Sequence, residues 1–101
     1  MKLNDRLRKT FQGGRVMLTQ GILRLPADDQ FAVLEKVKAF DDFTEGNDPY
    51  GEHDFGAFEY IEEKFFWKID YYDPTLERGS EDPADPQKTT RVLTIFLAEE
   101  Y

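Results

Sequence analysis

Between Phe55 and Tyr72 the chain reads FGAFEYIEEKFFWKIDYY, and large apolar side chains recur at alternate positions. That period belongs to β-strands, whose side chains point in turn to the two faces of a sheet. Placing Glu62–Glu63 at a tight turn pairs Ile61 with Lys64, Tyr60 with Phe65, Phe58 with Trp67, Gly56 with Ile69 and Asp54 with Tyr71. Cross-strand partners share a face, so this face is rich in aromatics and is the predicted core face. The other carries Phe55, Ala57, Glu59, Ile61, Lys64, Phe66, Lys68 and Asp70 and is mixed. A slip of one residue would reverse every side chain, and the clean division supports the register. Glu-Glu is a poor type I′ pair, which leaves room for a bulge or a longer loop. Gly56 on the core face predicts a bulge or a close backbone approach.

Helical signals precede the hairpin. Asn4 is suited to cap a short helix with Leu3, Leu7 and Phe11 on one side, and Gly13–Gly14 to end it in a left-handed conformation. Arg15–Thr19 reads as a short strand broken by Gly21. Pro26 opens a second helix with Asp28 and Asp29 in its first turn and Lys36 and Lys38 near its end, the signs that the helix dipole favours. Phe31, Leu34, Val37 and Phe40, with Val33, form its apolar stripe. A last strand, Thr90–Ala98, is apolar on both sides and belongs at the centre of the sheet or beneath a second helix. The expected fold is α+β: an antiparallel β-sheet of three to four strands with two helices packed on it, in the order α-β-α-β-β-β, forming a single domain over residues 1–101. Phe58, Phe65, Trp67, Ile69, Leu93 and Ile95 should be buried under the helix of Phe31–Phe40. Phe55, Ile61, Phe66, Val92 and Phe96, on the opposite face, need a cover. The first helix is expected to supply it through Leu7 and Phe11, which favours a monomer; a homodimer is the alternative.

A chain of 101 residues has length for one modest core, and 15% aromatic residues indicate a folded protein. The absence of cysteine excludes disulfides, thiolate nucleophiles and sulfur-bound zinc. No apolar run approaches a membrane span, and none follows Met1–Lys2–Leu3–Asn4 as in an export signal, so a cytoplasmic location is expected. Charge is segregated: residues 1–40 carry a net +4 and residues 41–101 a net −12. Lys2, Arg6, Arg8, Lys9 and Arg15 make a basic N-terminal patch, but the acidic remainder repels phosphate and argues against direct nucleic-acid binding.

Residues 46–56, GNDPYGEHDFG, hold the only histidine. Asp48, Glu52, His53 and Asp54 are possible metal ligands, yet an extended segment would point Glu52 and Asp54 one way and His53 the other, and the calcium-loop spacing is missing. No metal or cofactor is therefore expected. A hydrolytic site would use His53 as general base, Asp54 or Asp70 to orient it and Tyr71 or Tyr72 as acid, with His53 placed beside Tyr72 by the register above. No nucleophile stands out, since the lone Ser80 lies in a loop. Four of the five prolines follow aspartate, at Asp48–Pro49, Asp73–Pro74, Asp82–Pro83 and Asp85–Pro86. Asp-Pro is type I turn chemistry, which accounts for most of these aspartates structurally.

The strings NDPYGEHDFGAFE, FWKIDYYDP, SEDPADP and TTRVLTIFLAEEY resemble a family of small bacterial proteins classed as a domain of unknown function. The resemblance implies a bacterial, cytosolic, single-domain protein and brings no activity with it. The expected function is a non-enzymatic one: binding of a protein partner with a basic surface through the acidic loops 41–54 and 73–88. Asp48, Tyr50, Glu52, Tyr71, Tyr72, Asp82 and Asp85 are the contact residues expected there, and a DNA-mimic inhibitor is one form this would take. An enzyme centred on His53, Asp54, Asp70 and Tyr72 is the alternative.

Overall fold

A computed structural model describes residues 2–101. Helix α1 (Lys2–Thr10) leads to strand β1 (Arg15–Leu18), a single-turn helix α2 (Gln20–Leu23) and the longer α3 (Ala27–Ala39). Strands β2 (Phe55–Tyr60), β3 (Glu63–Tyr72) and β4 (Thr90–Leu97) follow, with a 3₁₀ turn at Ala98–Glu100. The fold is α+β, but the sheet is mixed and not antiparallel throughout. Its order is β1-β4-β3-β2, and β1 runs parallel to β4. A third helix, α2, adds to the expected two. Parallel neighbours need a long crossover, and here the whole chain from α2 to β3 lies between β1 and β4. β4 occupies the central place that its two apolar faces require.

The hairpin turns at Ile61–Glu62, one residue earlier than Glu62–Glu63. Both turn residues are left-handed, at φ 48° and 63°, as a type I′ turn demands. Pairing therefore joins Tyr60 to Glu63, Phe58 to Phe65 and Gly56 to Trp67. This register is displaced by two residues from the expected one. A displacement of two preserves the period of the strand, so every side chain keeps its expected face. Leu7, Ile22, Val33, Val37, Phe65, Trp67, Leu93 and Ile95 are fully buried in one core on the Trp67 face. Phe58 packs against that core while partly exposed. Gly56 contains no bulge; it is the close approach, for a Cβ there would strike the indole of Trp67 and the ring of Phe40.

Three helical expectations change. α1 starts before Asn4, which lies within it, buried, and caps nothing. The left-handed residue that ends α1 is Phe11 (φ 59°), whose N–H reaches Leu7 O at 2.7 Å. Gly21 does not merely break β1; it is part of α2. In α3, Val33 and Val37 form the buried stripe with Leu34 and Phe40 at its margin, whereas Phe31 is 65% exposed. The sheet below α3 is only four strands wide and α1 packs beside it, so the helix meets core along a narrow seam and Phe31 falls outside it.

α1 does not cover the second face of the sheet. Leu7 enters the Trp67 core, and Phe11 packs against the same core. The opposite face keeps its own aromatic cluster of Phe55, Phe66, Phe96 and Tyr101, with ring centroids 5.4–5.9 Å apart along the chain of contacts.

Non-glycine residues in the left-handed region cost roughly 1–2 kcal/mol each, most for a β-branched side chain. Replacing Ile61–Glu62 by Asn-Gly should therefore raise stability by about 1–2 kcal/mol in urea unfolding. A loss of stability would place the turn elsewhere.

Candidate functional site

The loops 41–54 and 73–89 emerge at one end of the sheet, where β2 begins, β3 ends and β4 begins. Neither is loose. In the first, Asn47 Oδ1 accepts the Thr44 N–H at 2.8 Å and Asn47 Nδ2 donates to Asp42 O at 2.9 Å. In the second, β3 continues through a small hairpin: Tyr72 bridges to Gly79, and Asp73 N–H donates to Arg78 O. Asp73 Oδ1 accepts from Thr75 Oγ1 and Glu77 N, Asp82 Oδ1 from Ala84 N, and Asp85 Oδ1 from Gln87 N. These are the Asx turns that Asp-Pro pairs favour. Thr89 Oγ1 closes the loop by donating to Asp82 O at 2.7 Å and meeting Ser80 Oγ at 2.6 Å.

A buried polar cluster joins the two loops. Asn4 Nδ2 donates to Glu52 O at 2.9 Å and to the Tyr71 hydroxyl at 2.8 Å. Tyr71 in turn donates to Asp54 Oδ2 at 3.0 Å. The Asn4 carbonyl oxygen accepts Arg91 Nε at 2.8 Å, and the far end of that guanidinium reaches Pro83 O. Arg91 is 6% exposed, lies over the Tyr71 ring at 5.2 Å and has no carboxylate partner among the described residues. Burial lowers its pKa from the ordinary arginine value. Burial first, and then the Asp54 and Glu52 carboxylates, push the Tyr71 phenol well above its ordinary value, against the opposing pull of the Asn4 N–H. Tyr71 is half-buried, and its hydroxyl is engaged inside the fold by Asn4 and Asp54.

His53 sits in a second cluster. Its backbone is left-handed (φ 55°), held by its N–H on Asp48 Oδ1 at 3.0 Å. This turns the imidazole towards α1 instead of along the strand. Nδ1 lies 2.9 Å from Asp5 Oδ1 and Nε2 3.4 Å from Asp48 Oδ2, and the ring stacks on Phe43 with centroids 3.8 Å apart. Arg8, 1% exposed, is over the rings of Phe43 and Trp67 and donates to Val37 O and Lys38 O at the end of α3. It has left the basic patch that the sequence suggested. A cleft of about 410 Å³ lies here, lined by Asp5, Lys9, Lys38, Asp41, Phe43 and His53 among others.

The residues proposed for catalysis separate. His53 does not meet Tyr72, because the register displacement and the left-handed backbone carry it to Asp5 and Asp48. Asp70 pairs with Lys68 at 3.3 Å on the far face, and Tyr72 shares that face, since both alternate with Ile69 and Tyr71. Asp54 is bound to Tyr71. As for a metal, no group of three His, Asp or Glu side chains is gathered to hold an ion among the described residues. Tyr50 is 85% exposed, and Glu52 is exposed while its backbone is tied to Asn4. Asp82 and Asp85 bound their own turns. Asn4, Asp5, Arg8 and Arg91 are the site residues that the sequence reading missed. The one signal, for Asn4 and Arg8 alone, was an asparagine and an arginine on the apolar side of an otherwise amphipathic helix.

Residues 18–100 match the model of a family described as a protein of unknown function, DUF3768. The chain belongs to that family. No curated protein and no solved structure matches it. Asn4, Asp5 and Arg8 precede the matched residues, whereas both acidic loops and Arg91 fall within them. No helix among the described residues is long and apolar enough to cross a membrane.

Burial of Asp5 opposes its ionisation, but the His53 hydrogen bond and charge, followed by Arg8, outweigh it and hold the carboxyl below its ordinary value of 3.8. A carboxyl depressed in the fold stabilises above its unfolded pKa, and that contribution is lost as pH falls through the folded value. Asp5→Asn should therefore be less stable than the parent at neutral pH and should lose less further stability between about pH 5 and pH 2. Parallel acid-unfolding curves would show that Asp5 carries no such linkage.

Proposed function

We propose that this chain is a small acidic cytoplasmic binding module that docks a basic protein surface against the joined ends of its two acidic loops. The observation that carries this reading is the buried Asn4–Arg91 connection: it ties Glu52 of one loop to Pro83 of the other, so the two loops form one surface. Together, residues 41–54 and 73–89 hold eleven Asp or Glu against Arg78 and Lys88, which exceeds the net −8 of the entire chain. Several of those acids are spoken for inside the fold. Asp48 and Asp54 bind His53 and Tyr71, and Asp73, Asp82 and Asp85 cap turns. Asp41, Asp42, Glu45, Glu52 and Glu81 are exposed, and their carboxylates make no hydrogen bond or ion pair among the described residues. They, with Tyr50, are the groups that can face a partner.

Pre-ordered loops lower the entropic cost of association, and a concentrated acidic field speeds encounter with a cationic surface. A surface that presents carboxylates in a fixed array to a phosphate-binding protein would act as a DNA mimic.

Capture from a bacterial lysate, followed by binding measurements with the recovered partner, tests the reading. Glu45→Lys with Glu81→Lys should weaken binding by roughly tenfold or more, and raising salt should weaken the parent in the same direction. Lys2→Ala with Lys9→Ala should leave it nearly unchanged. Binding that ignores salt, or that needs the basic helix and tolerates the loop reversals, would contradict the assignment.

A further inference from the structure

The pairing of the hairpin leaves one line of backbone groups open. Ile69 N–H donates to Asp54 O at 2.8 Å, so Asp54 turns its backbone towards β3, and the alternation continues through Gly56, Phe58 and Tyr60. Phe55, Ala57 and Glu59, between them, turn their N–H and C=O groups outward. β3 is the only strand beside β2, and those outward groups have no hydrogen-bond partner among the described residues. The first acidic loop, which leads into β2, is drawn to α1 instead, by Asn4 on Glu52 O and Asp5 on His53. Sheet edges are ordinarily blunted by proline, lysine, a bulge or shortness. The other edge strand, β1, has four residues and carries Arg15. β2 is six residues of regular pairing, FGAFEY, with no proline, lysine or bulge.

Charge decides what can pair there. Residues 52–63 hold Glu52, Asp54, Glu59, Glu62 and Glu63 and no lysine or arginine. Asp54 is engaged by Tyr71. The four glutamates are exposed, and their carboxylates make no hydrogen bond or ion pair among the described residues. Lys64, opposite Glu59 in the register, lies over the Phe66 ring instead. The β2 strand of a second copy would meet like charges at this edge, and a cationic strand would not. The two sides of the edge also differ. Phe58 and Tyr60, both half-buried, offer apolar surface on the core side, while Ala57 and Glu59 lie on the other. An added strand therefore suits apolar residues on one face and lysine or arginine on the other.

We infer that the edge of β2 takes an extended cationic segment of a partner protein as an added antiparallel strand, bonded by the backbones of Phe55, Ala57 and Glu59. Main-chain hydrogen bonds hold such a strand, and alternate side chains select it. The edge runs along the side of the sheet and stands independently of the loop surface proposed above.

The test titrates a short synthetic peptide of alternating lysine and valine, blocked at both ends, into the isotope-labelled full chain at physiological salt. Saturable binding is expected, with the amides of Phe55, Ala57 and Glu59 shifted and newly protected from solvent exchange and those of Arg15–Leu18 unchanged. In an antiparallel addition the lysines share the face of Ala57 and Glu59, and their N–H groups point at β2. Backbone N-methylation of the lysines keeps the charge and removes those donors, and should weaken binding by roughly tenfold or more. N-methylation of the valines, whose N–H groups point away, should change it little. Glu59→Lys, at an exposed position, should weaken binding by a similar factor with an unchanged circular dichroism spectrum. Glu45→Lys with Glu81→Lys should leave it nearly unchanged, which separates this edge from the loop surface. No saturable binding, shifts that avoid β2, or equal binding of all three peptides would overturn the inference. So would a chain that already self-associates through β2 in sedimentation, since a second copy would then be the occupant.

Discussion

The guanidinium of Arg91 is buried without a counter-charge, and much of the architecture answers to that fact. A buried cation is costly unless its donors are bonded. Here an asparagine from the first helix and a carbonyl from the Asp-Pro loop supply the acceptors, over the face of a tyrosine from β3. Asn4 spends its remaining donors on Glu52 O and Tyr71, so each group in the cluster depends on another. Arg8, nearby, is held differently: it donates to the carbonyls at the end of α3, lies over the rings of Phe43 and Trp67, pairs with Asp5 at 3.4 Å and leaves its buried Nε without a partner. Between them, the two arginines fasten α1 to the sheet, to α3 and to both loops.

This fastening gives the acidic end its character. Loops of this length in a small domain are ordinarily mobile or functional. These are ordered twice over, from outside by aspartate-capped turns and from inside by the Asn4–Arg91 cluster. Negative charge that would otherwise sample many arrangements is fixed in one. The binding role proposed above would use that geometry, whereas solubility needs charge alone.

The division of the hairpin into two faces was legible, because alternation survives any even displacement. The register was not. Ile61 and Glu62 carry no mark of the left-handed turn they form, and Glu62–Glu63, itself a poor type I′ pair, gave no firmer anchor for the register. Gly56 was legible as a close approach because only a missing side chain lets Trp67 cross there. The pairing of β1 with β4 could not be read, since four residues say nothing about direction. Asn4 misled because asparagine near a helix start serves equally as a cap or as a buried hydrogen-bonding hub; the choice depended on Arg91, 87 residues away. His53 was placed by strand periodicity, which fails wherever a residue adopts positive φ. The turn-forming aspartates were recognised by their prolines, whereas Asp5, with no such neighbour, was passed over.

Native-state hydrogen exchange on an Asn4→Leu variant tests the central claim most directly, because leucine keeps the branched shape and removes all three side-chain hydrogen bonds, to Glu52 O, Tyr71 and Arg91. If the Asn4–Arg91 cluster joins the loops, the amides of His53 in the first loop and of Lys88 in the second, both hydrogen-bonded in the fold, should lose protection together while those at the centre of β3 stay protected. Loss confined to one loop, or none in either, would contradict the account and leave the two acidic loops as independent features of the surface.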